Sequence, residues 1–532
     1  MPYNEVEQLR KSGQLNEAYE QAQHNLQQAH LTKPFVEIAE DTSAIDTTET
    51  KPEPQPETIL VRSKRALAWV LHDLMKKQTS AENIDVFEGY LRQFVEMELR
   101  DDEKMVINQL VWIIGTAVFE FTKEPGFDVG KMENLASLTM KLRFSKPGKG
   151  YSFIFKAFHK ALRDSPLYLD FVEWWDINYF MREDCKIKKD DDKAVRMAIA
   201  EQGCNRYAKH LLKALHAADN PEQADEIKDK MQRYLPVLEQ MMKYNKFFRM
   251  LPYYKVRLLL ALDRCEQVFS VLTYYARTRP TDFWVWELLA EAYSDETEKQ
   301  IACLSAALLC KVKLDKLIPI RVRLTKLLIE TGFYDEAKTE VAMILKLCFQ
   351  NKWEIPQVVI DWGDETWYHQ AFVKENNLSM YKSYRPGAEE LVFDDIPQQK
   401  IVIEAVNHPK KILNFMAGDR ARGFFKYEKF LTEVEVGDVF LARIKETKIA
   451  GRYNVFNIRR LHEKTIPGIL QTFAGEVIIP EGKPYGFSNS MYITPATCQT
   501  YNLQHGDIIS GTAMISYNKK HEEWGWKIIS ID

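Results

Sequence analysis

Four short stretches near the C-terminus decide the fold of the last part of the chain: Gly475-Glu476-Val477, Tyr485-Gly486-Phe487, Met491-Tyr492-Ile493-Thr494-Pro495 and Asn502-Leu503-Gln504-His505-Gly506-Asp507. They are spaced like the strands and turns of a small β-barrel. Tyr485 and Phe487 are two residues apart, so their rings point to one face of an extended strand, and Tyr492 on the next strand lies within reach of that face. Rings exposed in this way stack on nucleic-acid bases. The alternative is that the three rings form the core of the barrel.

The β pattern extends further towards the N-terminus. After residue 386 the apolar period changes to two, as in Ile401-Val402-Ile403 and Val439-Phe440-Leu441. The run Val434-Glu435-Val436-Gly437-Asp438-Val439 matches Leu503-Gln504-His505-Gly506-Asp507-Ile508, with a Gly-Asp turn before a long strand in each. We therefore predict two barrels in tandem, over residues 390–465 and 466–532.

The two predicted barrels differ in charge. Residues 397–464 contain six more Lys and Arg than Asp and Glu, whereas residues 465–532 carry a net charge of −2. The first barrel interleaves its cations with aromatic residues, which is what a groove for single-stranded nucleic acid requires. Its candidate binding residues are Arg420, Arg422, Phe424, Lys426 and Tyr427, with Arg443 and Lys445 on the next clear strand. The alternative is a solvated edge strand whose lysines prevent sheet association.

The composition of the whole chain limits the kind of nucleic-acid contact. The 532 residues suggest about three domains, and 45% hydrophobic with 28% charged residues is ordinary for a folded globular protein. The net charge of −4 argues against non-specific coating of nucleic acid through bulk charge. Any such contact must be local.

The sequence shows neither a targeting segment nor a metal-binding cysteine pattern. No N-terminal stretch resembles a signal peptide, and the longest apolar run, 111–119, is far shorter than the roughly 20 residues that cross a bilayer. We predict a cytoplasmic protein without a membrane partner. The seven cysteines are scattered and form no C-x-x-C pair, so we predict free thiols, no metal site and no cofactor.

The part before residue 390 has helical periodicity. Residues 1–32 predict two short helices with Gly13 at the turn, and residues 40–58, rich in proline and acid, predict a flexible linker. Residues 59–248 predict an irregular helical domain. In residues 249–380, Trp286, Leu289, Ala290 and Tyr293 follow the order of a repeat of about 34 residues, and Ala337 follows Ala302 by 35 residues.

These helical motifs resemble tetratricopeptide repeats. Small residues such as Ala302 and Ala306 let the two helices of a hairpin approach, and the first hairpin repeats the same turn at Gly13 to Ala18. The resemblance implies a repeat body over 249–380, a related hairpin over 1–32, and a surface that binds a protein partner.

The C-terminal segment 475–511 resembles the RNA-binding domain of transcription termination factor Rho, a cold-shock-like OB-fold. The resemblance implies that Tyr485, Phe487 and Tyr492 stack on bases. Asn489 stands where that family usually has a basic residue, which weakens any expectation of the family's base preference. The phosphate-binding loop of the Rho motor is missing from the sequence, so the resemblance implies a binding module rather than an ATPase.

We therefore predict a multidomain α + β protein with a helical-repeat body followed by tandem OB-like barrels. The sequence contains no catalytic constellation that we recognise, so the predicted function is that of a non-catalytic, bacterial-type adaptor. It would bind single-stranded RNA or DNA, RNA being favoured, and a protein partner on the helical body. One alternative is a scaffold that binds only proteins, as a subunit of a bacterial defence or stress system. Another is an enzyme with an unrecognised site in the helical region around Trp174 to Trp367.

Overall fold

The chain folds as a helical N-terminal body followed by C-terminal β-sheets, so the predicted multidomain α + β class is confirmed. The computed structural model describes residues 2–31, 59–100, 103–189, 195–518 and 522–532. The predicted linker 40–58 lies outside these ranges. The chain divides into two compact units, one ending at Cys265 and the other beginning at Glu266.

Within its described residues, the first unit is helical apart from one antiparallel pair of two-residue strands, β1 (Lys188–Lys189) and β2 (Val195–Arg196). Its helices are α1 (Pro2–Ser12), α2 (Leu15–Leu31), α3 (Ile59–Lys77), α4 (Ile84–Glu96), α5 (Lys104–Phe121), α6 (Val129–Thr139), α7 (Lys149–Ala161), α8 (Tyr168–Trp175), α9 (Ile199–His216), α10 (Pro221–Tyr244) and α11 (Leu251–Ala261).

The N-terminal hairpin of α1 and α2 packs against α3. Arg10 on α1 forms an ion pair of 3.0 Å with Asp73 on α3, and the Tyr19 hydroxyl donates a 2.8 Å hydrogen bond to the Gln93 side chain on α4. The hairpin is therefore docked on the helical domain. Among the described helices, α5 alone is long and apolar enough to cross a membrane by length and composition. More than half of it is buried, and it packs against α7 as a core helix does.

The second unit begins with a layer of helices. Their bounds are α12 (Cys265–Thr278), α13 (Phe283–Ala292), α14 (Thr297–Leu308), α15 (Leu314–Glu330), α16 (Tyr334–Asn351), α17 (Gln357–Trp362), α18 (Thr366–Gln370) and α19 (Leu378–Phe393). Helices α13 and α14 pack as a pair, as do α15 and α16, and α19 packs on α14. Trp286, Ala302 and Ala337 of the repeat pattern are buried in this layer. The assignment to tetratricopeptide repeats stays a prediction.

The first barrel follows α19 and has five antiparallel strands in the order β5-β4-β3-β6-β7. They are β3 (Gln399–Asn407), β4 (Ile412–Ala417), β5 (Arg422–Lys426), β6 (Val439–Glu446) and β7 (Tyr453–Leu461). A parallel bridge between Phe424 and Arg452 closes the sheet, and the Phe424 amide donates a 2.8 Å hydrogen bond to the Gly451 carbonyl. Ile401, Phe415 and Phe440 lie in its core.

The second barrel repeats this topology. Its strands are β8 (Leu470–Glu476), β9 (Gly486–Ser488), β10 (Met491–Ile493), β11 (Ile508–Asn518) and β12 (Glu523–Ile531), in the order β8-β11-β12-β10-β9. A bridge between Ile478 and Phe487 brings the ends together, and the short helix α20 (Pro495–Thr500) lies between β10 and β11. When the strands of each barrel are numbered one to five along the chain and the closing bridge is included, the order around the barrel is one-two-three-five-four. This is the order of a five-stranded OB-fold.

The Gly-Asp turns that revealed the tandem repeat have the same structure in both barrels. Gly437 and Gly506 adopt left-handed φ angles of +90° and +93°, which glycine tolerates without strain. The carboxylate of Asp438 accepts a 2.8 Å hydrogen bond from the Glu435 amide, and the carboxylate of Asp507 accepts a 2.6 Å hydrogen bond from the Gln504 amide. Each turn therefore starts the fourth strand of its barrel in the same way.

Candidate nucleic-acid interface

The structure brings Tyr485, Phe487 and Tyr492 together; we call these three residues the ring cluster. Their ring centroids are 5.7 to 5.9 Å apart. On β9, Gly486 and Ser488 are buried while Phe487 between them is half-buried, so Phe487 points outward. Tyr492 lies directly opposite Phe487 on β10. None of the three rings belongs to the apolar core of the second barrel, which contains Phe473, Val477, Ile493 and Ile528 among others.

A tight turn sets the register of the ring cluster. Asn489 and Ser490 both have positive φ angles, 49° and 63°, as the two central residues of a type I′ hairpin turn do. The Asn489 side-chain amide donates a 2.8 Å hydrogen bond to the Ala474 carbonyl. Asparagine tolerates this backbone conformation better than most residues. The polar residue at this position therefore supports the turn that places Phe487 opposite Tyr492.

A lysine that the sequence analysis did not select lies beside the ring cluster. Lys527 on β12 is the parallel neighbour of Tyr492 on β10, and neighbours in register project from the same face of a sheet. Its side chain is partly exposed. Lys527 therefore places a positive charge next to the rings, where a phosphate would accompany a stacked base. It lies 35 residues from Tyr492 in the sequence, so only the strand order reveals this neighbour.

Two of the predicted residues of the first barrel lie on its outer surface. On β5, Gly423 and Phe425 are buried, while Phe424 is half-buried and Lys426 is exposed. Phe424 lies opposite the exposed Asn414 on β4. Strands β4 and β5 are the second and third strands of the barrel, which form the ligand-binding face of OB-folds. Phe424 and Lys426 are therefore positioned for contact with a base and a phosphate.

Arg420 and Arg422 lie against the second barrel. The guanidinium carbons of Arg420 and Arg422 are 5.1 Å and 4.8 Å from the ring centroid of Trp524, and Arg422 is also 5.9 Å from that of Tyr517. Arg422 forms an ion pair with Glu404 on β3 as well. Both arginines are thus engaged in cation–π contacts between the barrels.

Arg443 does not lie on the binding face predicted for it. Its side chain is only 1% exposed, because the end of α19 covers this part of β6. Its guanidinium donates hydrogen bonds to the carbonyls of Phe393 (3.2 Å) and Ile396 (2.7 Å) and pairs with Glu390. Arg443 therefore anchors the helical layer to the first barrel.

Lys445 and Tyr427 also have partners within the protein. The Lys445 ammonium forms a 3.0 Å ion pair with Asp395, and this hydrogen bond helps to hold the pKa of the Asp395 carboxyl below its ordinary value. Lys445 remains exposed. Tyr427, by contrast, is 7% exposed and lies in the core of the first barrel beside Phe425. The structure therefore does not place the Tyr427 ring where a base would reach it.

Comparison with known protein families gives three matches. Residues 393–455 match the family model described as S1/CSD-like domain 1 of the TOTE conflict systems, and residues 471–531 match the one described as S1/CSD-like domain 2 of the same systems. Residues 249–388 match a family described as a domain of unknown function, DUF7017. Comparison with curated proteins gives no significant match.

These matches confirm the cold-shock-like, OB-type character predicted for the C-terminal barrels. S1/CSD-like domains suggest binding of nucleic acid. The specific likeness to Rho, the bacterial origin and the cytoplasmic location stay predictions.

Proposed function

We propose that this chain is a non-catalytic adaptor that binds single-stranded nucleic acid, RNA in preference to DNA, through its two barrels. The observation that carries the proposal is the ring cluster. Phe487 and Tyr492 lie on the second and third strands of the second barrel, the face on which OB-folds bind oligonucleotides, and Tyr485 extends that surface. Half-buried rings on this face can stack on bases of any identity.

The charges of the barrels support the same function. Lys527 lies beside the ring cluster, and Lys426 lies two residues from Phe424 on the outer face of β5. Each lysine that neutralises a phosphate releases a counterion, so the logarithm of the binding constant falls with the logarithm of salt concentration. The slope decreases in magnitude by about 0.7 for each contact removed from a single strand. Lys426→Ala and Lys527→Ala are each expected to reduce the slope by this amount.

Fluorescence anisotropy with short labelled RNA and DNA tests the proposal. Stacking contributes about 1 to 3 kcal/mol per base, which corresponds to about 5- to 150-fold in affinity. The Tyr485→Ala/Phe487→Ala variant is expected to bind the oligonucleotide at least about 5-fold more weakly than the parent. Tyr501→Ala is the matched control, because Tyr501 is an exposed ring of the same barrel outside the ring cluster. Equal affinities of the parent and the double variant would refute the role of the rings.

The helical layer supports a second component of the proposal, a protein partner. Phe333, Tyr334, Phe372 and Val373 are all exposed around the start of α16, with Phe372 77% exposed. The Phe372 amide donates a 2.8 Å hydrogen bond to the Asp335 side chain, which holds this apolar segment beside the helix. Exposed apolar patches of this kind mark protein-binding surfaces. We propose that the partner belongs to a conflict or defence system, since both matched barrel families are described from such systems.

A scaffold that binds only proteins is the competing function. It predicts no oligonucleotide binding at low salt, together with a stable complex recovered from the native host. Phe372→Asp would disrupt that complex, while leaving any oligonucleotide binding by the barrels unchanged. The two functions are thus separated by one variant on the helical layer and one on the ring cluster.

A further inference from the structure

The two barrels share an apolar contact, which we call the seam. On the first barrel it is formed by one outward-facing row with a residue from each strand: Arg422, Met416, Val402, Val439 and Leu461. Outward-facing residues of a lone barrel would be solvated. Here Met416, Val402 and Val439 are instead completely buried.

The second barrel contributes a matching row. Its members in strand order are Leu470, Met514, Lys527, Tyr492 and Phe487. Leu470 and Met514 are buried in one apolar cluster with the three buried residues of the first row. The seam therefore occupies one end of this row, and the ring cluster occupies the other.

Cation–π contacts extend the seam. Arg420 and Arg422 both contact the ring of Trp524, which is itself packed against the apolar cluster of the seam. The backbone of Gly437 on the first barrel approaches Ile529 on the second so closely that a Cβ at position 437 would overlap the Ile529 side chain. Apolar burial, cation–π contacts and close backbone approach together indicate that the two barrels are held in a fixed contact. They do not behave as two independent domains joined by a flexible linker.

Both candidate binding faces begin at the seam. Phe424 is two residues along β5 from Arg422, or about 7 Å at the strand rise of about 3.3 Å per residue. Tyr492 is two strands from Met514, or about 10 Å at the usual strand spacing. A single-stranded nucleic acid bound to the outer face of either barrel is thus within a few nucleotides of the other barrel.

We infer that the two barrels act as one composite site, in which a single nucleic-acid strand crosses the seam and contacts Phe424 on one side and the ring cluster on the other. This inference rests on the proposed function, because it requires that the barrels bind nucleic acid. It adds that the ligand is one continuous strand long enough to span two OB-folds. In such a site the second contact is intramolecular, so the gain in affinity with length is large.

A length series tests the inference on the full chain. One OB-fold binds about 4 to 16 nucleotides. In a series of RNAs from about 4 to about 32 nucleotides, the shortest RNAs therefore occupy one barrel and the longest are long enough to occupy both. We expect affinity for the long RNA to exceed that for the short RNA by about 100-fold or more, in a complex of one strand per protein. Phe424→Ala and Tyr492→Ala are each expected to weaken binding of the same long RNA. Two long strands bound per protein would overturn the inference.

Seam variants provide the second measurement. Met416→Asp places a charge in the seam at a residue that belongs to neither barrel core and to neither binding face, and Ile508→Asp is the control at an exposed apolar position of β11. Met416→Asp is expected to lower affinity for the long RNA at least tenfold without changing binding of the short RNA. Arg420→Ala/Arg422→Ala is a milder variant with the same expected direction. Hydrogen exchange at β4 and β11 verifies that the seam has opened.

The outcomes separate this inference from the proposed function. If the parent binds short RNA but gains nothing with length, or if an opened seam leaves long-RNA affinity unchanged, the composite site is wrong and the proposed function stands. If no RNA or DNA of any length binds, the proposed function fails and the composite site fails with it.

Discussion

Replacement of Arg443 by leucine is expected to loosen the attachment of the helical layer to the first barrel. The Arg443 guanidinium is buried, donates to the carbonyls of Phe393 and Ile396, and lies 5.2 Å from the Phe393 ring centroid. Arg277 lies 5.6 Å from the same ring and donates a hydrogen bond to the Val392 carbonyl. The two arginines thus bind three carbonyls in and just after the last turn of α19, and the Phe393 carbonyl also accepts a 2.9 Å hydrogen bond from the Ile396 amide.

The magnitude follows from these contacts. A hydrogen bond to a charged donor contributes about 1.5 to 3 kcal/mol, and Arg443 makes two of them to carbonyls besides its pair with Glu390. The Glu390 side chain is 64% exposed, so it returns to water at little cost when its partner is removed. Leucine restores some apolar contact with Phe393 but no donor. We therefore expect Arg443→Leu to destabilise this junction by about 3 kcal/mol or more.

Hydrogen exchange read by mass spectrometry is the suitable assay, because a chain with several domains does not unfold in two states. A loss of about 3 kcal/mol corresponds to at least a hundredfold faster exchange at the end of α19 and in β6. Lys445→Ala is the matched control, since it removes an exposed ion pair from the same strand and is expected to cost less than about 1 kcal/mol. Unchanged exchange in Arg443→Leu, or equal effects of both variants, would refute the anchoring role.

Two further predictions concern stability. Gly511→Ala is expected to destabilise the second barrel by about 2 kcal/mol or more, because its Cβ would overlap the Ser530 carbonyl oxygen on β12, whereas the Cβ of Gly525→Ala meets no neighbour. Hydrogen exchange in β11 and β12 compares the two variants. Burial lowers the pKa of His159, which contacts the Tyr168 hydroxyl at 2.7 Å, from 6.5 to about 3. Below pH 6.5 the unfolded histidine therefore binds a proton that the folded one does not, and the first unit loses stability by about 1.4 kcal/mol per pH unit as the pH falls towards 3. Hydrogen-exchange protection of α7 and α8, corrected for the intrinsic pH dependence of exchange, measures this slope in the parent and in His159→Gln between pH 4.5 and 7. The variant is expected to lack the slope, and equal slopes would contradict the assignment.

The local parts of the candidate site could be predicted from the sequence. Residues two apart on a strand share a face, which placed Tyr485 with Phe487, and the turn at Asn489 and Ser490 is short enough to bring Tyr492 opposite them. The repeated Gly-Asp turn predicts the tandem barrels without any knowledge of the strand order. Such features depend on neighbours within about ten residues.

The rule that residues two apart on a strand share a face also bears on the prediction that Tyr427 contacts nucleic acid. Tyr427 is two residues from the buried Phe425 and three from Phe424, so it shares the inward face of Phe425. The position of Arg443 had no such signal, because its burial depends on α19, a separate element that covers the outer face of β6. Lys527 and the seam likewise depend on strand order and register. These long-range features set the surface that a ligand would meet.

Ultraviolet cross-linking of bound RNA, followed by mass spectrometry of the attached peptides, tests the central claim most directly. With uridine-containing RNA at low salt, the account predicts cross-links in the segment from Tyr485 to Tyr492, and their loss from that segment in Tyr485→Ala/Phe487→Ala. Cross-links confined to the helical residues before 390, in a protein that still binds RNA, would show that the ring cluster is not the nucleic-acid interface.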